Sequence, residues 1–198
     1  MRGSMPKNDA VILAAGKGSR FLSGGYKLLA PLNGAPLIVR TLEPVLQAGF
    51  DEVIIVIGAH GDEMRRVLQH YPVRIIENTE WERGQSTSLT AGIRALDSRS
   101  ERACLLLGDQ PWLRAETLRS LVAASEECPA EVIVPFYKDR RGNPIVVPAS
   151  LYGKLVELSS GDMGGRKFLQ VVGYRPVPVE DPGVLRDVDT IEELEKHD

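Results

Sequence analysis

The sequence predicts an α/β fold in which a mostly parallel, twisted β-sheet is covered by helices on both faces. Apolar strand-like runs alternate with amphipathic helical patterns over about the first two thirds of the 198 residues. Parallel neighbours need a crossover connection, so this alternation favours a parallel sheet with a helix between successive strands. The runs are also continuous, as in Val53-Ile54-Ile55-Val56-Ile57, which is typical of strands buried on both faces.

Continuous apolar runs predict the strands of the first half, and apolar residues at three- and four-residue steps predict its helices. Pro36 can open the first helix because its missing N–H is not needed there. We expect Pro44 to bend this helix, Gly49 to close it and Asp62 to start the second. The expected strands are 11–14, 53–57, 73–76 and 103–107, a short apolar piece at 28–32 ends at Asn33-Gly34, and the helices span 36–49, 62–69 and 86–96.

The second half of the chain predicts a small β-hairpin insertion and a capped terminal helix. The hairpin covers residues 136–147 and turns at 139–143. Thr190 and Glu193 have the spacing of a capping box for the last helix. Further helices are expected at 113–124, 151–158 and 166–171, and further strands at 132–134 and 174–179.

Composition limits the function classes. The net charge is −3 and the pI is about 5.7, so the basic surplus of a general nucleic-acid binder is missing. No apolar run approaches the roughly 18 residues of a membrane span. Cys104 and Cys128 form no C-x-x-C pair, which favours a reducing cytoplasm. We interpret residues 1–8 as a vector leader and 9–198 as one domain.

A glycine loop follows the first strand and is suited to phosphate. Gly16 and Gly18 lie directly after the apolar run, and Arg20 and Lys27 add two cations to exposed backbone N–H groups. A dinucleotide fingerprint would need glycine where Phe21 stands and an acid after the second strand, and no P-loop spacing occurs. A plain strand-to-helix turn remains the alternative.

Three carboxylates point to a divalent metal. Asp109 follows the strand 103–107, and Asp187 and Asp189 flank an apolar Val188, so both would point the same way in a strand. Ligands of such sheets lie outside the carboxyl ends of the strands. Mg²⁺ takes one or two protein carboxylates together with phosphate oxygens. Asp109 and Asp189 could instead cap or form turns.

Nothing in the sequence supports a covalent mechanism. His60, His70 and His197 are scattered, and no serine or cysteine stands in a nucleophile constellation. Nucleotidyl transfer needs no such group, because a phosphate monoester with a second pKa of about 6 is already largely dianionic at neutral pH. Positioning and electrostatics could then supply most of the catalysis.

The motifs taken together resemble a known family. L-A-A-G-K-G-S-R-F at 13–21 with Lys27 is similar to the opening signature of nucleotidyltransferases that act on sugar phosphates and molybdopterin. With G-Q-S-T-S-L at 84–89, G-D-Q-P at 108–111, R-G-N-P at 141–144, G-D-M-G-G-R at 161–166 and D-V-D-T at 187–190, the chain resembles the molybdenum cofactor cytidylyltransferase branch of MobA-like NTP transferases. The resemblance implies a Rossmann-like fold, Mg²⁺ dependence and transfer of CMP from CTP to molybdopterin with release of pyrophosphate.

The resemblance also implies roles for individual residues. Arg20, Lys27 and Asp109 would be catalytic, Mg²⁺ would be held by Asp109 with Asp187 or Asp189, and Ala15 favours CTP over GTP. The nucleotide-binding set is Leu13, Ala14, Ala15, Gly16, Gly18, Arg20, Lys27, Asn78, Ser86, Ser88 and Asp109. The acceptor-binding set is Gln110, Arg141, Asn143, Gly161, Asp162 and Arg166. A molybdoenzyme or its chaperone would receive the product.

Two departures leave the acceptor open. The family usually has histidine at the place of Asn143 and proline at the place of Thr79. The first alternative is therefore the same chemistry on a sugar or alditol phosphate. A nucleotide-responsive binding module is a second alternative, which the retained Lys27 and Asp109 disfavour. An NAD(P)-linked oxidoreductase is a third, disfavoured by Phe21 and by the missing acid.

Overall fold

The protein was analysed as a computed structural model, which describes residues 7–17, 26–159, 164–190 and 193. Within these residues the chain forms ten strands. They are β1 (Lys7–Ala14), β2 (Pro31–Leu32), β3 (Ala35–Pro36), β4 (Glu52–Ile57), β5 (Arg74–Glu77), β6 (Ser100–Leu107), β7 (Ile133–Tyr137), β8 (Arg140–Arg141), β9 (Ile145–Pro148) and β10 (Arg175–Pro178).

The same part of the chain contains six α-helices, and each lies within a few residues of its predicted place. They are α1 (Leu37–Ala48), α2 (Gly61–Leu68), α3 (Gln85–Ala95), α4 (Ala115–Glu127), α5 (Tyr152–Leu158) and α6 (Gly164–Val172). Short 3₁₀ turns cover Lys27–Leu29, Trp81–Arg83, Ala149–Leu151 and Pro182–Leu185. None of the described helices is long and apolar enough to cross a membrane.

The main sheet has the order β10-β7-β9-β6-β1-β4-β5, with β8 paired to β7. The pairs β6–β1, β1–β4, β4–β5 and β10–β7 are parallel, and β9 is antiparallel to β6 and β7. The predicted mostly parallel sheet is therefore confirmed. β1 lies at its centre, so both of its long edges are covered by neighbouring strands.

Helices cover both faces of this sheet, as predicted. Successive β1 residues belong to different cores: Ile12 packs with side chains of α1, α2 and α4, and Val11 packs with side chains of α3, α5 and α6. Both side chains are fully buried. Strand side chains alternate in direction, so the continuous apolar run serves the two cores together. Burial of each such side chain contributes about 1.5–3 kcal/mol.

The first strand is longer than its apolar run. Lys7 and Asn8, which the sequence analysis sets aside with the leader, pair with Ser100 and Arg102 of β6. Backbone pairing therefore extends the strand beyond the residues that pack in the core. The amino end of the sheet begins at these pairs, and its carboxyl end lies about eight residues away along β1.

The predicted hairpin over 136–147 needs correction. β7 and β8 form a tight hairpin that turns at Lys138 and Asp139, both with positive φ. The expected return arm is β9, which lies between β7 and β6 and pairs mainly with β6. A second small hairpin joins β2 and β3 through Asn33-Gly34, whose positive φ values suit a two-residue turn.

The helix ends show which local sequence signals were sufficient to predict where a helix begins or ends. Gly49 adopts the left-handed conformation that closes α1, as predicted. α2 begins at Gly61 after a left-handed His60, so Asp62 lies in the first turn and not at the cap. Its carboxylate still stabilises α2, because a negative charge in the first turn interacts favourably with the positive end of the helix dipole. Glu193 accepts hydrogen bonds from the N–H groups of Asp189 and Thr190, as half of a capping box would, but most of the predicted terminal helix lies outside the described residues.

Candidate active site

The loops that follow β1 and β6 meet at the carboxyl edge of the sheet. The Gly108 N–H donates to Leu13 O at 3.0 Å, which joins the ends of the two strands. The Asp109 carbonyl accepts a hydrogen bond from the Val188 N–H at 2.9 Å. The late segment around Val188 therefore lies against the strand end that carries Asp109. Asp187 and Asp189, which flank Val188, therefore lie on a segment that contacts the Asp109 backbone at this edge.

Lys27 and Asp109 form an ion pair across this edge. Lys27 Nζ lies 2.6 Å from Asp109 Oδ2 and 2.8 Å from the Val188 carbonyl oxygen. The two side chains are 13% and 21% exposed, so the pair is only partly screened by water. The ammonium group links the glycine-loop side of the cleft to the acidic side.

Tyr26 fixes the place of Lys27. Its ring is buried and stacks on His60 with centroids 4.6 Å apart, and its hydroxyl donates to Ala14 O at 2.9 Å. Burial, with a smaller contribution from the negative charge of Asp109, raises the pKa of Tyr26 far above its usual range. The phenol therefore remains a hydrogen-bond donor. The residue before Lys27 is thus anchored to the end of β1.

The acidic groups form a site that fits a divalent cation. Asp109 Oδ1 is buried without a hydrogen-bond partner. Partial burial raises the pKa of Asp187, and the negative charges of Asp109 and Asp189 raise it further, whereas its own backbone and Lys27 oppose the rise. No group of three or more histidine, cysteine or acidic side chains among the described residues is arranged to hold a metal ion. Two carboxylates suffice for Mg²⁺, which takes its other ligands from water and phosphate.

A cavity of about 410 Å³ lies over the end of β1 and contains the Lys27–Asp109 pair. Seven of the residues predicted to bind nucleotide line it: Leu13, Ala14, Ala15, Gly16, Lys27, Ser88 and Asp109. Gly18 and Arg20, which were predicted for the same site, lie outside the described residues. The structure therefore brings the described part of the glycine loop, Ser88 of the motif 84–89 and Asp109 to one cavity.

Two predicted nucleotide-binding residues do not line this cavity. Asn78 is buried, and its amide group donates to Thr87 Oγ1 at 2.8 Å and to Ser88 Oγ at 3.0 Å. Its side chain thus holds the first turn of α3 and, through it, Ser88. Ser86 faces the neighbouring cavity instead. Successive residues of an α-helix point about 100° apart. Ser86 and Ser88 are two residues apart, so their side chains point to nearly opposite sides of α3.

The second cavity, of about 440 Å³, adjoins the first and shares Leu13, Gln85 and Leu107 with it. Arg141 and Arg166 supply positive charge at its wall, and Asn143 lies beside Arg141. These are the described members of the predicted acceptor set that line it. Aliphatic side chains make up most of the remaining wall: Leu13, Leu89, Leu105, Leu106, Leu107, Ile145, Leu155 and Leu169.

The other predicted acceptor residues are not placed in this cavity. Gln110 is buried and does not line it, and its Oε1 has no hydrogen-bond partner. Gly161 and Asp162 lie outside the described residues. The glycine loop 161–165 therefore contributes only Gly165 to the described wall.

Sequence reasoning missed several residues that line the first cavity. Trp81 and Glu82 come from the polar loop after β5, and Lys17 and Tyr26 come from the glycine loop. Trp81 packs against Gly58 so closely that an added Cβ at Gly58 would lie 2.7 Å from Trp81 Cβ. A lone tryptophan in a polar loop was the available signal for this wall.

Comparisons with known proteins agree with this geometry. Residues 10–178 match a family model described as a MobA-like NTP transferase domain. The chain is 32% identical over 199 residues to a Paenarthrobacter nicotinovorans protein named nicotine blue oxidoreductase, with 96% of each chain covered.

Solved structures give the same relationship. Rv0371c from Mycobacterium tuberculosis H37Rv superposes with a TM-score of 0.83 at 28% identity, covering 98% of both chains. A nucleotidyl transferase from Methanothermobacter thermautotroptrophicus superposes with a TM-score of 0.81 at 27% identity, covering 96% of this chain and 95% of that one. Another Rv0371c structure is a manganese complex, with a TM-score of 0.80 at 26% identity and coverage of 96% and 97%. The sheet and helices thus form a Rossmann-like nucleotidyltransferase fold.

Proposed function

Since the chain belongs to the family of MobA-like NTP transferase domains and is a nucleotidyltransferase by that membership, we propose that it transfers CMP from CTP to an acceptor phosphate. The proposed acceptor is the terminal phosphate of molybdopterin or the molybdenum cofactor, and pyrophosphate is released. A molybdoenzyme or its chaperone would then receive the product.

One observation carries this proposal. A cation from the glycine loop, Lys27, and a carboxylate from the end of β6, Asp109, meet at 2.6 Å in a cavity of nucleotide size. Asp187 is near enough for the charge of Asp109 to raise its pKa. A triphosphate with a divalent ion needs a positive group for the phosphates and a negative group for the ion in one cleft.

Asp109 and a second carboxylate would hold Mg²⁺ in this proposal. Either Asp187 or Asp189 would be the second ligand, since both carboxylates flank Val188, whose N–H binds the Asp109 carbonyl. The ion would neutralise negative charge on the phosphates. The manganese complex of Rv0371c supports a divalent ion in this fold but does not choose between the two metals.

The chain's own groups position the reactants. An oxygen of the acceptor phosphate attacks the α-phosphorus of CTP, and the bond to the β-phosphate oxygen breaks, so that pyrophosphate leaves with the electron pair. Lys27 would exchange Asp109 for a phosphate oxygen as the nucleotide binds. Arg141 and Arg166 would bind the incoming acceptor phosphate from the adjoining cavity. Neither step requires a covalent intermediate on the protein.

The side chains that line the second cavity limit which acceptor can bind there. A sugar or alditol phosphate would place several hydroxyl groups against the aliphatic side chains of Leu105, Leu155 and Leu169. Hydroxyls buried without partners each cost about 1–3 kcal/mol. The flat face of a pterin could lie against these side chains, while the polar groups at its edge would need partners such as Gln85, Arg141 and Asn143.

The named relative supports a second candidate. The Paenarthrobacter protein matches nearly the whole chain and is named an oxidoreductase, so reduction of a heterocycle with a nicotinamide cofactor must be tested beside transfer. The charge set around Lys27 and Asp109 favours transfer, because hydride transfer requires no metal-bound triphosphate.

The proposal is tested by measuring pyrophosphate release with each of the four NTPs, Mg²⁺ and either molybdopterin or a panel of sugar and alditol phosphates. Oxidation of NADH and NADPH is followed in parallel. We expect release with CTP and molybdopterin and none with the Asp109→Asn variant. Turnover with a sugar phosphate but not with molybdopterin would reject the proposed acceptor. Oxidation of NADH or NADPH without pyrophosphate release would reject nucleotidyl transfer.

A further inference from the structure

Asp181 is a buried carboxylate that neither the glycine motifs nor the acidic motifs include. It is 2% exposed, and three donors surround it. Its Oδ2 accepts hydrogen bonds from the Arg114 N–H at 2.9 Å and from the Thr117 hydroxyl at 2.8 Å. Its Oδ1 accepts from the Gly183 N–H at 2.9 Å. Asp181 thus caps the turn Pro182–Leu185 and ties it to the start of α4, which is distant in the sequence.

The residues that follow Asp181 fit closely between two neighbours. An added Cβ at Gly183 would lie 2.2 Å from the Trp112 carbonyl oxygen, so a side chain at this position would displace the backbone. On the other side, the Asn143 N–H donates to Val184 O at 2.8 Å. The segment therefore also supports the strand connection that carries Arg141 and Asn143 along the wall of the second cavity.

The far end of the same segment forms the acidic half of the site. The Val188 N–H binds the Asp109 carbonyl at 2.9 Å, and the Val188 carbonyl accepts from Lys27 Nζ at 2.8 Å. Asp187 precedes this residue. Six peptide steps separate Asp181 from Asp187, a reach of at most about 20 Å. Between them the only regular structure is the 3₁₀ turn, so the place of Asp187 depends on how the segment is anchored.

We propose that Asp181 is a positioning residue for the metal site and for the acceptor wall. It fixes the start of the segment 181–188, and the segment then holds Asp187 beside Asp109 and supports Asn143 through Val184. This inference rests on the proposed function and adds a residue to it. Asp181 touches none of the reacting groups, and its effect passes through the backbone that it anchors.

If Asp181 positions the metal site, its loss should change metal binding, acceptor binding and nucleotide binding to different extents. A general loss of stability would not separate the three. The nucleotide cavity is lined by β1, the glycine loop, the turn at Trp81, α3 and the end of β6 with Asp109, and by no residue of 181–188. Loosening the segment should therefore weaken binding of a divalent ion and raise the acceptor KM. It should lower the affinity for CTP without metal far less, because the segment reaches the nucleotide cavity only through the contacts of Val188 with Lys27 and Asp109. Excess Mg²⁺ should recover much of the lost kcat.

The test compares three variants. Asp181→Asn leaves a single accepting oxygen and turns an N–H group toward one of the donors. Thr117→Val removes one of the three contacts at nearly constant volume. Ser125→Ala is the matched control, because it removes a buried hydroxyl bond to Val122 O from the other end of the same helix. Thermal melting establishes that each variant is folded.

The main readout is titration of each protein with Mn²⁺ alone, followed by electron paramagnetic resonance. We expect about 10- to 100-fold weaker Mn²⁺ binding in Asp181→Asn, as for other groups that orient metal ligands. Thr117→Val should lose about fivefold, the equivalent of one hydrogen bond. Ser125→Ala should bind Mn²⁺ like the wild type.

Unchanged Mn²⁺ affinity in folded Asp181→Asn would overturn the inference, and equal losses in Ser125→Ala would reduce it to general destabilisation. If Asp181→Asn does not fold, Thr117→Val decides between the same outcomes. Mn²⁺ binding is measured without nucleotide or acceptor. A wild-type protein that shows this metal pattern but releases no pyrophosphate would therefore reject the proposed function and leave the role of Asp181 intact.

Discussion

Lys27 and Asp109 bind each other through the same atoms that the proposed reaction requires. The ammonium group of Lys27 stands 2.6 Å from Asp109 Oδ2, where a cation bound to this carboxylate would also stand. A divalent ion that binds alone must displace this positive charge or tolerate it nearby. A nucleotide supplies phosphate oxygens to which Lys27 can move. Metal and nucleotide should therefore assist each other's binding.

The variant Lys27→Met should consequently have opposite effects on the two ligands. Removal of the ammonium leaves Asp109 and Asp187 without their neutralising partner, so Mn²⁺ alone should bind at least several-fold more tightly. CTP should bind at least tenfold more weakly, because a charge-assisted contact of about 1.5–3 kcal/mol is lost. Calorimetric titration with each ligand separately measures both changes.

Two controls separate charge from shape at this position. Lys27→Arg keeps the positive charge and should not tighten Mn²⁺ binding. Lys17→Met removes an exposed lysine from the same cavity wall and should leave Mn²⁺ affinity near that of the wild type. Weaker Mn²⁺ binding in Lys27→Met would show that the lysine supports the metal site and does not compete with it.

The sequence revealed site residues whose charge and local sequence context already indicate a function. Lys27 in a glycine loop and Asp109 after an apolar strand stand out without a structure, and the structure brings them together. Asp181 and Trp81 do not stand out, because their place depends on contacts with Arg114 and Gly58, which are distant in the sequence. The sequence also pointed to Asn78, but the N–H groups of its side-chain amide donate hydrogen bonds inside the protein, one of them to Ser88.

At the scale of elements, α3 depends on one small residue. Gly92 lies where this helix crosses β1 and β4, and an added Cβ would be 2.5 Å from Val11 Cγ1 and 3.1 Å from Val56 Cγ2. Both valines are buried in central strands and have stiff χ1 rotamers. The absence of a side chain at Gly92 therefore sets how closely α3, which carries Ser88, can approach the sheet.

Gly92→Ala should destabilise the protein by about 1–3 kcal/mol, since overpacking outweighs the better helix propensity of alanine. Gly153→Ala is the matched control, because this glycine lies in α5 with no atom within 4 Å of an added Cβ. The control should gain about 0.4–1 kcal/mol through the unfolded state. Urea unfolding measures both, and a stabilising Gly92→Ala would contradict the close contact.

Local patterns predicted the elements better than their pairing. Hydrophobic periodicity placed α1, α3 and α4 within a few residues, because burial of one face sets that period. The predicted hairpin exists, but the pairing of its return arm was wrong for a physical reason. The run Ile145-Val146-Val147 is the same whether the strand pairs with β7 alone or also inserts beside β6, and only the sheet decides between the two.

At the scale of the whole molecule, Asp9 couples stability to pH. It lies at the amino end of β1, is fully buried, and has Lys7 Nζ at 4.0 Å from its carboxylate. Burial raises the pKa of Asp9, and Ser100 and Lys7 offset this only in part. The folded state thus binds this proton more tightly than the unfolded chain. Asp9 then contributes full stability below its unfolded pKa of 3.8, and the contribution is lost as the pH rises through the folded pKa.

Asp9→Asn should therefore raise the melting temperature at pH 7, with a gain that shrinks as the pH falls toward 4. The exposed Asp97 is the control of opposite sign, because hydrogen bonds from Arg99 lower its pKa. Asp97→Asn should lower the melting temperature slightly at pH 7. Thermal melts from pH 4 to pH 8 test this, and a pH-independent effect of Asp9→Asn would contradict it.

The arrangement of the whole chain explains why the site could be anticipated. A parallel sheet brings the ends of β1, β4 and β6 to one edge, so residues more than eighty positions apart, such as Lys27 and Asp109, meet there. The sequence does not reveal the path of the segment 181–188, because that path follows from close backbone contacts with Trp112 and Asn143.

The central claim is that a metal-bound triphosphate is held between Lys27 and Asp109. The most direct measurement is the calorimetric affinity for CTP with and without Mg²⁺, in the wild type and in Asp109→Asn. Mg²⁺ should strengthen CTP binding to the wild type, and this gain should vanish in Asp109→Asn while binding without metal persists. An equal Mg²⁺ gain in both proteins would show that Asp109 holds no metal and that the site lies elsewhere.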